Sequence, residues 1–140
     1  MFFVLLMGAR NLLIVSAVVE TSIGVTLLLL PSLVAGLLLG ASLETPAAVV
    51  VGRMTGAALL SLGGACWLAR NDGADGAVPG VVAAMLLYNS VAVAVLASGG
   101  AGAGLVGVLT WPTVGLHAAL AVWCIVCLRS GRRIRARPQA

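Results

Sequence analysis

The chain has 140 residues, of which 61% are hydrophobic and only 9% are charged. Soluble domains carry about a quarter charged residues, so this composition excludes a soluble globular protein and favours helices that span a membrane. The formal net charge is +4, and the basic residues are concentrated in the last part of the chain. We expect this basic tail to contact anionic lipid headgroups rather than nucleic acid. The tail arginines are Arg129, Arg132, Arg133, Arg135 and Arg137.

Taken in order, the apolar segments predict an all-α membrane protein, a bundle of four transmembrane helices. Residues 1–9 are interpreted as an interfacial start of the first helix, retained in the mature protein. Residues 33–45 are predicted as an apolar loop or a short re-entrant or interfacial helix, and residues 71–77 and 98–104 as tight connections. Segments of about 20 apolar residues are long enough to span a bilayer. The predicted spans are 11–30, 47–69, 78–97 and 105–128, within a bundle of residues 1–128 that a basic tail, 129–140, follows.

The distribution of loop charge predicts the orientation. With four spans, both termini and the middle loop lie on one side, and Arg10, Arg70 and the basic tail all fall there. The other two loops carry only Glu44. Because arginine-rich loops stay in the cytoplasm, we expect both termini to be cytoplasmic.

Strong polar groups occur at similar depths in all four predicted spans. Glu20, Tyr88, Asn89 and His117 lie near the middle of their spans. Arg53 lies roughly 7 Å outward of the centre of its span, at 1.5 Å per residue. We therefore predict an intramembrane polar cluster in which Glu20 and Arg53 form a buried ion pair, with Asn89 and His117 beside it.

Three roles for this cluster remain open. It is a structural clip that fixes helix register, a proton- or cation-binding site, or a contact with a partner subunit or lipid. His117 is either a metal or haem ligand or a hydrogen-bonded core histidine. Because the chain has a single histidine, we favour the core histidine. We predict no metal and no cofactor.

Small residues and thiols mark further positions. Gly52, Gly56 and Gly63 form a stripe that lets another helix approach closely. Ser16, Glu20 and Gly24 repeat on one stripe of the first span, and Thr110, His117 and Cys124 on one stripe of the fourth.

Cys124 and Cys127 form a C-x-x-C pair, and Cys66 lies at similar depth. They are either a thiol site or small apolar packing residues, and the predicted orientation places them on the reducing side of the membrane.

Three strings carry a resemblance to a known group of proteins: Gly52-Arg53 followed by GAALLSLGGACWLAR, then LLYNSVAV, then WPTVGLHAALAVWC. They resemble the DoxX-like group of small four-span bacterial inner-membrane proteins of unknown function. The likeness extends from about Gly52 to Cys127. It implies a four-helix bundle in a bacterial inner membrane, crossed several times, and no established activity.

Glu20 is also similar in placement to the single Glu in the first span of small multidrug exporters. That resemblance implies a site for protons and cationic drugs. However, the third span lacks the aromatic pattern of such drug sites, and aromatic residues make up only 4% of the chain.

Three functional hypotheses follow. The first is a non-catalytic accessory subunit or factor of a larger membrane assembly. It predicts a protein partner, whereas a homo-oligomer without one favours the second hypothesis. The second is a small proton-coupled carrier that uses Glu20. The third is a membrane redox or quinone-associated protein that uses Cys124, Cys127 and His117. The chain carries none of the common catalytic motifs, so we expect a protein that is not an enzyme.

Overall fold

The computed structural model describes residues 8–72 and 76–135, with side chains through Gly131. Within these residues the chain forms five α-helices, which confirms the all-α prediction. They are α1 (Ala9–Leu29), α2 (Pro31–Leu39), α3 (Pro46–Ala69), α4 (Val78–Gly102) and α5 (Thr110–Arg135).

Four of these helices are long and apolar enough to cross a membrane: α1, α3, α4 and the part of α5 from Thr110 to Gly131. Their mean hydropathies lie between 1.5 and 2.2, which is consistent with a multi-pass membrane protein. Helix α2 has only nine residues, or about 14 Å at 1.5 Å per residue, too short to cross a bilayer.

Prolines mark where three of the helices begin. Pro31, Pro46 and Pro79 occupy the first turn of α2, α3 and α4, where the missing N–H group is not needed by the helix. At α3 the side chain of Thr45 also accepts a hydrogen bond from the Ala48 N–H at 3.1 Å. This N-cap satisfies one of the free amides of the first turn.

The long helices pack as two pairs. The most extensive contacts are between α1 and α3, the first pair, and between α4 and α5, the second pair; contacts between the pairs are fewer. Helices α1 and α3 approach closely because glycines of α3 contact the backbone of α1. A Cβ atom at Gly56 would lie 2.7 Å from the Gly24 carbonyl oxygen. A Cβ atom at Gly63 would lie 3.0 Å from the Thr21 amide nitrogen. Gly56 and Gly63 therefore lie where α1 and α3 approach each other closely.

Helix α2 is held by the segment that connects α4 to α5. The Gly107 amide donates to the Leu38 carbonyl at 3.3 Å, and the Leu109 amide donates to the Leu37 carbonyl at 2.9 Å. The fully buried Thr110 hydroxyl donates to the Leu38 carbonyl as well. Gly107 is required here because a Cβ atom would collide with the Leu37 carbonyl.

Gly52 is the third predicted packing glycine. It faces side chains of Pro31 and Leu43, each 3.0 Å from a Cβ atom built at Gly52.

Helix ends differ from the predicted bounds at α4 and α5. Helix α4 continues to Gly102, through glycines that were assigned to a connection. Glycine lacks a side chain but keeps its amide hydrogen bonds, and Gly100 is buried against Thr110 and Trp111. Helix α5 begins at Thr110 and continues into the basic tail as far as Arg135. The predicted interfacial start at residues 1–7 and the last five residues of the tail lie outside the described residues.

All four long helices contribute to one buried apolar core, which lies toward one end of the bundle. This end carries Arg10 and Arg70 and is called the charged end. Its core side chains are Leu12, Leu13 and Ala17 of α1, Cys66 and Ala69 of α3, Val82 and Met85 of α4, and Leu120 and Cys124 of α5.

Candidate functional site

Glu20 lies near the midpoint of α1, on the inner face of the helix. Its side chain is only 1% exposed, and Ser16, one turn earlier, is fully buried. Among the described residues, neither the Glu20 Oε1 atom nor the Ser16 Oγ atom has a hydrogen-bond partner. Buried polar atoms are rarely left unpaired, and the only other one among the described residues is Trp123 Nε1.

Tyr88 of α4 is the residue that contacts Glu20 from the other helix pair. Its hydroxyl group donates a side-chain hydrogen bond to the Glu20 carboxyl group. The Tyr88 ring also packs edge-on against the His117 ring of α5, with centroids 5.5 Å apart and planes at 83°. Tyr88 thereby connects α1 to both helices of the second pair.

Asn89 and His117 form a buried hydrogen-bonded pair. The Asn89 Nδ2 group donates to the Met85 carbonyl one turn earlier at 2.7 Å, which turns Oδ1 toward α5. His117 Nδ1 lies 2.7 Å from this Oδ1. Because an amide oxygen only accepts, Nδ1 carries the hydrogen, and Nε2 is the nitrogen left for another partner. Asn89 is fully buried and His117 is 7% exposed.

The predicted Glu20–Arg53 ion pair is wrong. Arg53 is exposed on the outer surface of α3, whereas Glu20 is buried. The physical reason is helix phase: one residue turns a helix by about 100°, so Arg53 points well away from the direction of Gly52, which faces Pro31 and Leu43. Similar depth along the helices suggested the Glu20–Arg53 ion pair. The directions in which the two side chains point keep them apart. The polar cluster of the structure is therefore Glu20, Tyr88, Asn89 and His117.

The polar cluster lies at the boundary between the two helix pairs. Glu20 belongs to the first pair, and its three companions belong to the second. Toward the charged end, the apolar core closes the bundle directly beneath the cluster. A carboxyl group, a phenol and an imidazole in apolar surroundings can bind and pass protons, and a carboxylate with a buried hydroxyl nearby can also bind a cation.

The cysteines lie within the apolar core rather than at an exposed site. Cys66 and Cys124 are buried in the same cluster as free thiols, and Cys127 is half-buried and packs against it. This placement agrees with thiols as small apolar packing groups. The thiol-site hypothesis stays a prediction.

Charged groups at the charged end bind local partners. The Nε group of Arg10 donates to the Asn71 side-chain oxygen at 3.1 Å. The Arg70 guanidinium lies 3.7 Å from the ring centre of Trp67 and donates to the Trp67 carbonyl. Of the tail arginines, Arg129 is exposed. Outside the described side chains lie Arg132, Arg133, Arg135 and Arg137.

Sequence reasoning found Glu20, Asn89 and His117 by their depth, but missed the role of Tyr88 as the link between helix pairs. The sequence signal for this role was that Tyr88 and Asn89 are adjacent. Neighbouring residues on a helix point about 100° apart, so the two side chains can face different partners.

Comparison with known proteins returned no matching family, no similar curated protein and no similar solved structure.

Proposed function

We propose that the protein is a small proton-coupled membrane carrier in which Glu20 is the proton-binding group. One observation carries the proposal: Glu20 is buried midway along α1 with no cationic partner among the described residues. An ionised carboxylate in apolar surroundings without a partner is costly. A proton or a cation bound at Glu20 removes that cost, so occupancy of the site can be linked to the conformation of the bundle.

The position of Glu20 between the two helix pairs supports this function. Coupling-ion sites of carriers lie near the middle of the membrane, between two bodies that move against each other. Here the two helix pairs are the candidate bodies, since contacts within each pair exceed those between them. Separation of the pairs would break the Glu20–Tyr88 hydrogen bond and open Glu20 to water.

Groups from both helices of the second pair adjoin the site. Tyr88 of α4 contacts Glu20, and His117 of α5 contacts the Tyr88 ring. Arg53 is exposed, so it does not neutralise the acid. The ion pair expected from the sequence would have kept Glu20 ionised, and its absence leaves the acid able to titrate.

We place the carrier in a bacterial inner membrane with both termini in the cytoplasm. Arg10 and Arg70 lie at the charged end, where the basic tail also begins, while Glu44 lies in the connection between α2 and α3. This asymmetry agrees with the general excess of arginine on the cytoplasmic side.

The first test compares the wild-type protein with Glu20→Gln and, as a matched control, Glu44→Gln. Glu44 is an exposed acid outside the long helices. In the infrared spectrum of the reconstituted protein, we expect a protonated-carboxyl band that responds to pH in the wild type and in Glu44→Gln. Glu20→Gln should lack that band, because an amide cannot titrate.

The same three proteins, placed in vesicles with an internal pH indicator, test transport with a panel of small solutes. A solute-driven proton flux that disappears only in Glu20→Gln supports the carrier. A carboxyl band that does not respond to pH, or a flux that persists in Glu20→Gln, contradicts the proposal.

A second function, a non-catalytic accessory subunit, is favoured by Arg53. Charged side chains in membrane spans almost always face the interior of a bundle or a cavity, yet Arg53 faces outward within α3. A neighbouring membrane protein with an acidic or polar group would satisfy it. Co-purification of larger subunits in a mild detergent, and its loss on Arg53→Gln, tests this function.

A further inference from the structure

A cavity of about 450 Å³ opens at the charged end of the bundle. Its walls come from both helix pairs: the start of α1 and the end of α3 on one side, the start of α4 and the end of α5 on the other. Its volume falls within the range of about 300–1,000 Å³ typical of small-molecule sites. It is separate from the polar cluster, because Leu12, Leu13 and Met85 of the apolar core lie between them.

The lining of this cavity is amphipathic. Apolar side chains of Val78, Val82 and Leu128 form the inner wall. Val82 is only 1% exposed and belongs to the apolar core, so the wall is a fixed surface. The charged lining residues are two arginines and one acid, namely Arg10, Arg70 and Asp72. A ligand that fits has an apolar part and a head with charge of both signs.

Arg10 is the group best placed to bind a negative part of the head. Its Nε group is held by the Asn71 side chain at 3.1 Å. This bond fixes the plane of the guanidinium and leaves the terminal nitrogens, which make the paired hydrogen bonds that a phosphate accepts. Arg70 stacks on Trp67, so it adds positive charge from a fixed position rather than a second free donor.

Asp72 introduces negative charge on the same rim. It follows Asn71 directly, and its Oδ2 atom accepts a hydrogen bond from the Ala77 amide at 3.4 Å. That single long bond leaves most of the carboxylate available for a cationic donor. A ligand with only negative charge would leave Asp72 without a cationic partner, whereas a head with a phosphate and an ammonium group meets both Arg10 and Asp72.

We propose that this cavity binds the headgroup of a phospholipid that carries both a phosphate and a primary ammonium, as phosphatidylethanolamine does. The phosphate lies on Arg10, the ammonium donates to Asp72, and the first carbons of the acyl chains lie against Val78 and Val82. Phosphatidylglycerol offers no ammonium, and the quaternary ammonium of phosphatidylcholine has no N–H group to donate. The proposal does not depend on proton coupling at Glu20.

Native mass spectrometry of the full chain in a mild detergent tests this selectivity. Phosphatidylethanolamine, phosphatidylglycerol and phosphatidylcholine with identical acyl chains are added in separate titrations. We expect phosphatidylethanolamine to be retained about fivefold or more tightly than either of the others, which corresponds to the roughly 1 kcal/mol of one surface charge contact.

Three variants assign the contacts. Arg10→Gln should weaken binding of phosphatidylethanolamine about fivefold, and Arg10→Lys should restore much of it, because the charge is kept. Asp72→Asn should remove the preference over phosphatidylcholine while phosphate binding remains. Glu44→Gln removes an exposed charge in the connection between α2 and α3 that does not line the cavity, and it should change nothing. Each variant is first checked for an unchanged melting temperature.

Three outcomes overturn the proposal. The first is equal retention of all three lipids, and the second is a preference for phosphatidylglycerol. The third is full displacement of the lipid by soluble phosphoethanolamine at similar concentration, which would assign the cavity to a soluble phosphate ester instead.

Discussion

Asn89 determines the arrangement of the polar cluster at the scale of single residues. Its amide nitrogen is engaged by its own helix and its amide oxygen by His117. An aspartate could not donate to the Met85 carbonyl when ionised, and an apolar residue would leave the imidazole N–H without an acceptor. The side chain therefore sets both the rotamer and the tautomer of the histidine.

Replacement of Asn89 tests this pair. Asn89→Leu keeps the approximate volume but leaves His117 Nδ1 unpaired in a buried position. We expect a loss of about 1–2 kcal/mol in the free energy of unfolding, visible as a lower melting temperature in detergent. Ser90→Ala, at the next and exposed position of the same helix, should have almost no effect. Equal melting temperatures for both variants would mean that the hydrogen bond contributes no stability.

The residues of the site were predictable to different degrees. Depth along the helices was sufficient to bring Glu20, Asn89 and His117 together, because charged and polar groups in apolar spans collect in the interior. The same criterion failed for Arg53, since depth does not define the direction in which a side chain points. The unpaired oxygens of Ser16 and Glu20 could not be predicted, because they depend on distances between helices that no sequence pattern fixes.

At the scale of elements, the first helix pair rests on backbone contact at its glycines. At Gly56 a Cβ atom would meet backbone atoms of α1, including the Leu28 amide nitrogen at 2.9 Å. Backbone of a rigid helix cannot move aside as a flexible side chain can. The separation of α1 and α3, and with it the position of Glu20 opposite Tyr88, depends on this absence of a side chain.

Gly56→Ala and Gly64→Ala form a matched pair of variants. Both raise helix propensity by a similar amount, but a Cβ atom at Gly64 meets nothing within 4 Å. We expect Gly56→Ala to lower the free energy of unfolding by about 1–3 kcal/mol through overpacking, and Gly64→Ala to leave it equal or slightly higher. Thermal unfolding in the same detergent measures both. An equally stable Gly56→Ala would show that the helices separate without cost.

Composition was sufficient to predict that each long apolar segment is a helix. The residues at which the helices end were harder to predict. Prolines mark the starts of α3 and α4, because proline fits a first turn and disrupts an interior. The glycines near the end of α4 suggested a connection, but Gly100 stays helical because Trp111 and Thr110 pack against it. These residues come into contact only in the folded bundle, so the sequence pattern does not show the contact.

At the scale of the whole molecule, Arg53 lies seven residues after Pro46, the first residue of α3, or about 10 Å along the axis. Side chains on a helix lean toward its N-terminus, so the guanidinium points toward the end opposite the charged end. It therefore reaches either the lipid headgroups on that side or an acidic group of an adjacent membrane protein.

Co-purification distinguishes these two environments. If Arg53 contacts a partner subunit, Arg53→Gln should release that subunit during mild extraction while the bundle keeps its melting temperature. Arg129→Gln, which changes an exposed arginine near the end of α5, serves as the control. A complex that withstands Arg53→Gln would assign Arg53 to headgroup contact and would remove the main support for an accessory subunit.

The location of Glu20 halfway along α1 has an electrical consequence. A proton that reaches Glu20 from either surface has crossed about half of the membrane voltage. The full voltage acts on one charge with about 2.3 kcal/mol per 100 mV, so half of it gives about 1.1 kcal/mol. A voltage of about 100 mV therefore changes the ratio of protonated to ionised Glu20 roughly sixfold. A cell that is energised and a cell that is de-energised would therefore hold this protein in different proportions of its two charge states, at the same pH on both sides.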